Sequence, residues 1–205
     1  VHNIPLWLTY FAAHLNTKAY FRHWIAWDAP GAPLGKTLLP NHYGILYYCK
    51  SKSYKDFKFY DIRIPHKQCR ICQGYLTDYG GKESRRHPFG TLASDVWDDI
   101  HRIRHAKRRD AHPCQLPIPL LERLILMCTD PGDIILDPFV GTGSTAVAAK
   151  RLGRRYIGVD IDAKYAQIAR DNVDRVSETK IESVYVSIFL GQLRTVRDID
   201  FKEIR

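Results

Sequence analysis

The sequence predicts an α/β fold in which a mostly parallel sheet is flanked by helices and interrupted by a loop-rich insertion. Two observations carry this prediction. In the last third of the chain, short apolar runs alternate with helical patterns, which is typical of parallel strands joined by helical crossovers. Residues 65–99 are instead rich in Gly, Pro, Cys and charge, as loops are. With 205 residues and 45% apolar content, the chain is long enough for one domain with a sizeable core.

The first part of the chain contains the patterns of one helix and three strands. Residues 4–22 mix aromatic, aliphatic and Ala residues with few breakers, which predicts a helix. Aromatic and β-branched residues then predict strands over residues 21–27, 43–50 and 58–63. A Pro-Gly-Ala-Pro break at residues 30–33 separates the first two strands.

The last third of the chain predicts a regular series of helices and strands. The predicted elements, in order, are a helix at 118–128, a buried strand at 134–136, a helix at 144–152, a buried strand at 155–159 and a helix that ends near 176. Asp162 is a suitable N-cap for the last of these helices. A further strand is expected at residues 183–190.

The balance of charge favours a polyanionic partner. The net charge is +9 and the isoelectric point is near 9.3, which suits nucleic acid, although solubility alone can produce such a balance. Five cysteines are an odd number, unlike a paired disulfide framework, and indicate a reducing compartment. No apolar run has the length of a membrane span, and the first residues lack the layout of a signal peptide. We therefore expect a soluble cytoplasmic protein.

The strongest motif is a glycine-rich turn between a strand and a helix. Gly141 and Gly143 allow a tight turn and close approach of the backbone to a ligand, at which the following helix points its free N–H groups. Asp160 follows nineteen residues after Gly141, at the end of the next strand, where its carboxylate can accept hydrogen bonds from ribose hydroxyls. A helical crossover between adjacent parallel strands would bring both places to the carboxyl edge of the sheet.

Asp137 separates the ligands that such a turn could hold. The spacing of Gly141, Gly143 and Ala146 also satisfies the dinucleotide fingerprint. Asp137 lies four residues before the first glycine, where it suits the cationic amino-acid end of S-adenosylmethionine and would repel a pyrophosphate. The sequence thus favours S-adenosylmethionine. A nicotinamide or flavin cofactor, or a turn without a ligand, are the alternatives.

These motifs resemble those of a known family. DPFVGTGST at residues 137–145 and RRYIGVDID at residues 154–162 are similar to the cofactor motifs of the DNA N6-adenine and N4-cytosine methyltransferases. HPCQLPIPLLERLI at residues 112–125 resembles the segment that precedes them in members with permuted motif order, and SDVW at residues 94–97 resembles an element further upstream. The resemblance is close over residues 94–173 and implies a Rossmann-like, S-adenosylmethionine-dependent methyltransferase fold.

The resemblance implies a role for each matching residue. Asp160 would bind the ribose, and His112 and Gln115 would line the amino-acid end of the cofactor. The other implied cofactor contacts are Asp137, Phe139, Gly141, Gly143, Ser144 and Thr145. The chain departs from the usual pattern at Cys114, at Ser144 and at Leu116, where Lys is common, and the loss of that Lys removes a charge near the pocket.

A second motif of this family does not occur in the sequence. It consists of Asp, Asn or Ser followed by Pro-Pro and an aromatic residue, and it would orient the target amino group and stack on the flipped base. In the permuted order this motif precedes every segment recognised here, so we expect a chain that is truncated at its start and inactive by itself. A degenerate homologue that never had the motif is the alternative. No catalytic residue is therefore assigned.

Two further segments suggest partners. Residues 101–109 hold five fixed cations, which could neutralise phosphates of double-stranded DNA or form an ordinary solvated face. These cations are Arg102, Arg104, Lys107, Arg108 and Arg109. Residues 51–97 lie where the family usually places target recognition, within a single methyltransferase domain over residues 1–205. Cys69 and Cys72 form half of a zinc knuckle, but no second CxxC completes it, so no metal site is assigned and zinc stays an alternative.

Taken together, the motifs predict a site-specific DNA methyltransferase. It would move a methyl group from S-adenosylmethionine to the exocyclic amino nitrogen of adenine or, as the alternative, of cytosine. Two other classes stay open: a non-catalytic DNA-binding remnant that retains the cofactor site, and a methyltransferase that acts on RNA or a small molecule. A homodimer is compatible with the sequence and a membrane partner is not expected. The sequence identifies neither the recognition site nor a restriction endonuclease partner.

Overall fold

A computed structural model describes residues 5–29, 41–67, 71, 74, 90–103, 115–176 and 194–195. The chain divides into two compact units. The first unit comprises Val1–Lys58 and Ser94–Pro117, and the second comprises Phe59–Ala93 and Ile118–Arg205. The prediction of one domain with a target-recognition insertion at residues 51–97 stays a prediction.

The first unit is built around a long central strand. Its elements are α1 (Pro5–Leu15), β1 (Tyr20–Asp28), β2 (His42–Cys49) and β5 (Val96–Trp97). Strand β1 pairs antiparallel with β2 and parallel with β5. Trp27 is only 1% exposed, and its indole Nε1 donates a hydrogen bond of 2.7 Å to the carbonyl of Ile100. The two strands predicted at residues 21–27 and 43–50 are therefore confirmed as β1 and β2.

Helix α1 ends earlier than the sequence pattern predicts. The predicted helix reaches residue 22, whereas α1 stops at Leu15 and a turn follows. The Thr17 hydroxyl donates to the carbonyl of His14 at 2.8 Å, and the amide of Ala19 donates to the carbonyl of Leu15. Threonine and asparagine side chains compete for backbone groups and so favour turns over helix continuation. The aromatic residues after the turn belong to β1.

The second unit contains the strands and helices around the glycine motif. It consists of β3 (Ile62–Ile64), β4 (Thr91–Leu92), α2 (Ile118–Cys128), β6 (Ile134–Asp137), α3 (Ser144–Arg151), β7 (Arg155–Gly158), α4 (Ala163–Asp174) and β8 (Arg194–Thr195). Strands β6 and β7 pair in parallel, while β4, β3 and β8 form a small antiparallel sheet. The predicted helices at 118–128, 144–152 and up to about 176 are confirmed. The strand predicted at 183–190 lies outside the described residues.

Helix α3 lies at the centre of the second unit. It packs against α2, α4, β6 and β7, and the side chains of Ala146, Val147, Ala148 and Ala149 are all buried. Small side chains let neighbouring helices and strands approach the α3 backbone closely. The Ala-rich composition of this segment therefore places the first turn of α3 firmly beside the end of β6.

A buried arginine fixes the start of β7. The Arg154 guanidinium donates to the Thr129 carbonyl at 2.8 Å, to the Thr129 hydroxyl at 3.1 Å and to the Leu152 carbonyl at 2.6 Å. These acceptors lie just after α2 and just after α3, so one side chain joins the ends of both helices to β7. The hydrogen bonds satisfy donors that would be costly to bury unpaired.

The prediction that β6 and β7 are buried strands is wrong for the structure as described. Ile134 and Leu136 in β6 are exposed, and Tyr156, Ile157 and Val159 in or just after β7 are exposed as well. Parallel strands are buried where further strands and helices cover both faces of the sheet. Among the described residues, β6 and β7 form a sheet of two strands, so much of their apolar surface is left in contact with solvent.

An ion pair links α2 to α3. The Arg151 Nη1 atom lies 3.1 Å from the Glu122 Oε1 atom. Burial raises the pKa of the Glu122 carboxyl above its ordinary value of 4.5, and the Arg151 guanidinium opposes that rise. The carboxyl therefore holds its proton more tightly in the folded chain than in the unfolded chain.

This carboxyl makes stability depend on pH. For a group whose folded pKa is raised, stability is fully present below the unfolded pKa and is lost as pH rises through the folded pKa. Above pH 4.5 the free energy of unfolding should therefore fall by at most about 1.4 kcal/mol per pH unit on account of this group. We expect Glu122→Gln to abolish this fall. Urea denaturation at a series of pH values checks it, and Arg151→Gln should extend the decline to higher pH. Parallel profiles for wild type and Glu122→Gln would contradict the assignment.

Candidate ligand site at the carboxyl ends of β6 and β7

The glycine-rich loop that follows β6 is a turn closed by hydrogen bonds. The Asp137 carboxylate accepts a hydrogen bond of 3.0 Å from the amide of Phe139, and the amide of Gly143 donates to the carbonyl of Val140 at 2.9 Å. Gly141 and Gly143 have φ values of +51° and +88°, in the left-handed region that favours glycine. Helix α3 then begins at Ser144. The predicted strand, glycine turn and helix are confirmed.

Gly143 is required for close packing as well as for its backbone conformation. A Cβ atom at this position would lie 2.9 Å from both the Cα and the Cβ of Ala169 in α4. Real Cβ atoms essentially never approach another carbon so closely. The missing side chain therefore lets α4 lie directly against the start of α3.

Asp160 is joined to the loop by its carboxylate. Its Oδ2 atom accepts a hydrogen bond of 2.9 Å from the amide of Gly141, and its Oδ1 atom accepts one of 2.9 Å from the amide of Asp162. Strand pairing continues past the end of the sheet, since the amide of Val159 donates to the carbonyl of Asp137 at 2.9 Å. The two places that the sequence predicts to meet at the carboxyl edge of the sheet are thus adjacent.

The N-terminus of α3 opens toward the loop without a side-chain cap. Its N-cap residue is Gly143, and no side chain among the described residues accepts a capping hydrogen bond from the first backbone amides of this helix. Ser144 and Thr145, which occupy the first turn, are half-buried. By contrast, α4 is capped by Asp162, whose side chain accepts from the amide of Lys164 at 2.8 Å, as the sequence predicts. Free N–H groups and the helix dipole are therefore available at α3.

Sequence reasoning did not single out Asn172 and Val140, which shape the loop, or Ile161, which is exposed directly after Asp160. Asn172 in α4 donates from Nδ2 to the carbonyl of Thr142 at 2.9 Å, which ties the loop to that helix. Val140 is buried, and a Cβ at Gly158 would lie 2.8 Å from its Cγ2 atom. Ile161 is fully exposed between two aspartates. The sequence offered one signal for Ile161, namely that an apolar residue stands between two aspartates at the end of a strand.

Two of the predicted site residues belong to the first unit, and several others lie outside the described residues. Gln115 is half-buried in the first unit, and Arg102 is half-buried in that unit. Outside the described residues lie His112, Cys69, Cys72, Arg104, Lys107, Arg108 and Arg109. Within the described ranges, no cluster of three or more His, Cys, Asp or Glu side chains is arranged to hold a metal ion. None of the helices in those ranges combines the length and apolar character needed to cross a membrane.

The fold and the site together define a class of protein. A parallel strand pair with a glycine turn, an uncapped helix start and two carboxylates at adjacent strand ends is the arrangement typical of nucleoside-binding sites in α/β proteins. The model of one family, described as DNA methylase and named for N6 and N4 methyltransferases, matches residues 2–171. The chain belongs to this DNA methylase family.

Two curated relatives are similar to most of the chain. The type II methyltransferase M.BamHI of Bacillus amyloliquefaciens is 40% identical over 162 residues, which are 78% of this chain and 38% of the relative. The type II methyltransferase M.BglII of Bacillus subtilis is 36% identical over 169 residues, which are 82% of this chain and 46% of the relative. The chain thus spans less than half the length of either relative.

A solved structure confirms the fold class. TTHA0409 from Thermus thermophilus, solved in complex with S-adenosyl-L-methionine, superimposes with a TM-score of 0.52 and 26% identity. The match covers 84% of this chain and 60% of that protein. The prediction of a Rossmann-like methyltransferase fold is confirmed.

Proposed function

We propose that this chain carries the S-adenosylmethionine site of a DNA amino-methyltransferase. The whole protein would transfer a methyl group to the exocyclic amino nitrogen of adenine, or alternatively of cytosine, in double-stranded DNA. One observation carries the proposal: the carboxylates of Asp137 and Asp160 stand at the ends of two adjacent strands, on either side of the glycine loop.

Asp160 supports the ribose end of this ligand. An ionised carboxylate offers about four acceptor positions, and backbone amides of Gly141 and Asp162 occupy two of them. Acceptor capacity therefore remains on both oxygens for ribose hydroxyls. Phe139 is 87% exposed and Ile161 is fully exposed, so apolar side chains are available at the same edge to cover an adenine ring.

Asp137 supports the amino-acid end. Its carboxylate uses one acceptor position for the amide of Phe139 and is half-buried beside the turn. A fixed negative charge there attracts an ammonium group and repels a pyrophosphate. This asymmetry favours S-adenosylmethionine over a dinucleotide. The solved complex of TTHA0409 with S-adenosyl-L-methionine supports the same ligand.

The proposed reaction is a direct displacement. When bound, S-adenosylmethionine supplies a methyl group on a positively charged sulfur, which leaves as a neutral thioether while the amino nitrogen of the base attacks the carbon. The nitrogen then loses one proton to an acceptor. In this chain the described residues bind and orient the donor, a task for which positioning is the main contribution.

We further propose that this chain alone binds the donor without transferring its methyl group. In the family that this chain resembles, the target base is held by a tetrapeptide with Pro-Pro between a polar and an aromatic residue. This tetrapeptide does not occur among the 205 residues. Incubation with duplex DNA and tritiated S-adenosylmethionine is expected to give no incorporation. Incorporation would contradict this part of the proposal, and digestion to nucleosides would then identify the methylated base.

Calorimetric titration tests the cofactor site. We expect one equivalent of S-adenosylmethionine to bind and NADH to give no response. Asp160→Asn should weaken binding about ten- to a hundred-fold, since it removes a charged acceptor of hydroxyl hydrogen bonds. The matched control is Asp174→Asn, an exposed aspartate on α4 remote from the loop in sequence, which should leave affinity unchanged. Equal affinities of wild type and Asp160→Asn would overturn the proposed site.

A further inference from the structure

Residues 50–57 form a compact loop after β2 that is organised by Arg22 of β1. The Arg22 Nη2 atom donates hydrogen bonds to the carbonyls of Ser51, at 2.6 Å, and Lys52, at 2.8 Å. A guanidinium that binds two successive carbonyls fixes the path of the backbone between them. These hydrogen bonds thus hold the first residues of the loop against β1.

Two aromatic rings of the loop enclose the same guanidinium. The Arg22 Cζ atom lies 4.5 Å from the ring centroid of Tyr54 and 4.5 Å from that of Phe57. Each contact has the geometry of a cation–π interaction, which attracts the guanidinium to the face of the ring. The positive charge of Arg22 is therefore directed into the loop.

Hydrogen bonds within the loop complete its conformation. The Ser51 hydroxyl donates to the Asp56 carboxylate at 2.6 Å and accepts from the amide of Ser53 at 3.1 Å. The amide of Lys55 in turn donates to the Ser53 hydroxyl at 3.2 Å. The one acidic side chain of the loop, Asp56, accepts the bond from Ser51, and its single negative charge leaves the three lysines of the loop in excess.

The outer surface of this loop is basic. Lys50, Lys52 and Lys55 are exposed, and Tyr54 at the tip is 78% exposed. Three ammonium groups are thus presented within six residues on a backbone that Arg22 holds in place. A loop that is ordered before it meets a partner avoids much of the entropy cost of ordering on binding.

We propose that residues 50–57 are a phosphate-contacting surface for duplex DNA, and that Arg22 is its positioning residue. The inference rests on the proposed function, in which DNA is the substrate. Lysine ammonium groups neutralise phosphates without reading sequence, and the ring of Tyr54 can pack on a deoxyribose. The loop exposes one aromatic ring and no aliphatic side chain, which suits a polyanion better than the hydrocarbon of a membrane.

The first test removes the three charges. Binding of a 20-base-pair duplex to the 205-residue chain is measured by fluorescence anisotropy between 50 and 300 mM salt. For Lys50→Gln, Lys52→Gln and Lys55→Gln combined, we expect the slope of log affinity against log salt to fall by up to about 2.7, at about 0.9 per phosphate contact. The matched control neutralises Lys18, Arg170 and Arg175, which are also exposed, and its slope should stay within one contact of wild type.

The second test separates the position of the loop from its charge. Arg22→Lys keeps the positive charge but cannot donate to two carbonyls from one planar group or stack between two rings. We expect duplex affinity to fall about three- to ten-fold and the salt slope to fall with it, although no exposed charge has been removed. Far-UV circular dichroism and calorimetric binding of S-adenosylmethionine should match wild type, which shows that the fold and the second unit are intact.

The outcomes are distinguishable. An unchanged salt slope in the triple lysine variant, or an equal loss in the control, would overturn the surface. An unchanged duplex affinity in Arg22→Lys would overturn the positioning role. Loss of binding to phosphatidylserine vesicles in the triple variant, with duplex binding intact, would assign the loop to a membrane instead. Failure of the proposed cofactor site appears separately, as lack of S-adenosylmethionine binding by the unmodified chain.

Discussion

Gly143→Ala is expected to destabilise the second unit by roughly 2–5 kcal/mol and to weaken S-adenosylmethionine binding. An alanine in the left-handed region costs about 1–2 kcal/mol, and forcing a methyl group into a packed site adds about 1–3 kcal/mol. The new Cβ would lie 2.9 Å from the Cα of Ala169, a backbone atom that cannot move aside without displacing α4. The loop that holds Asp160 would therefore shift together with the helix.

Gly132→Ala is the control for this substitution. Gly132 also has a positive φ, of +84°, and belongs to the same unit, but a Cβ there would meet no atom within 4 Å. Only the backbone cost applies, so we expect a loss of about 1–2 kcal/mol. Urea denaturation followed by far-UV circular dichroism compares the variants. Equal losses at Gly132 and Gly143 would show that close packing against α4 contributes nothing.

Trp27→Ala should have the largest effect in the first unit, about 3–5 kcal/mol. Trp27 is 1% exposed in the middle of the sheet, and its indole donates to the carbonyl of Ile100. Truncation to alanine leaves a cavity, and it also removes the partner of a carbonyl that the indole now satisfies. A loss this large should lower the thermal midpoint measured by circular dichroism by several degrees or more.

Trp7→Ala tests whether the loss depends on burial. Trp7 lies on α1 in the same unit and is 51% exposed, and its ring centroid is 6.1 Å from that of Tyr10. Its removal deletes the same atoms from a position that is half in water, so we expect a loss under about 1 kcal/mol. Comparable losses at the two tryptophans would mean that the strand β1 is not the core of its unit.

Local patterns predicted most of the secondary structure and the position of the glycine site. The spacing between Gly141 and Asp160 is that of one helical crossover. A crossover of this length between adjacent parallel strands brings the two strand ends together. Asp162 was recognisable as an N-cap because capping is a property of a few consecutive residues.

Features that depend on distant residues were not predictable in the same way. The exposure of β6 and β7 depends on what covers a sheet, which apolar composition alone does not state. The contact of Arg22 with residues 51 and 52 joins positions about thirty apart, and no local pattern marks it. Likewise, the early end of α1 was hidden because the aromatic residues of α1 and β1 look alike in composition.

The bond between the Asp160 carboxylate and the Gly141 amide has a kinetic consequence. Because the loop is already held in shape, we expect the proposed ligand to enter without a slow rearrangement of the backbone. Encounter with the site, rather than reshaping of the backbone, would then limit the speed of association, and residence time would account for most differences in affinity among related ligands. S-adenosylmethionine and its demethylated product differ little in shape, so they would exchange readily at the proposed site.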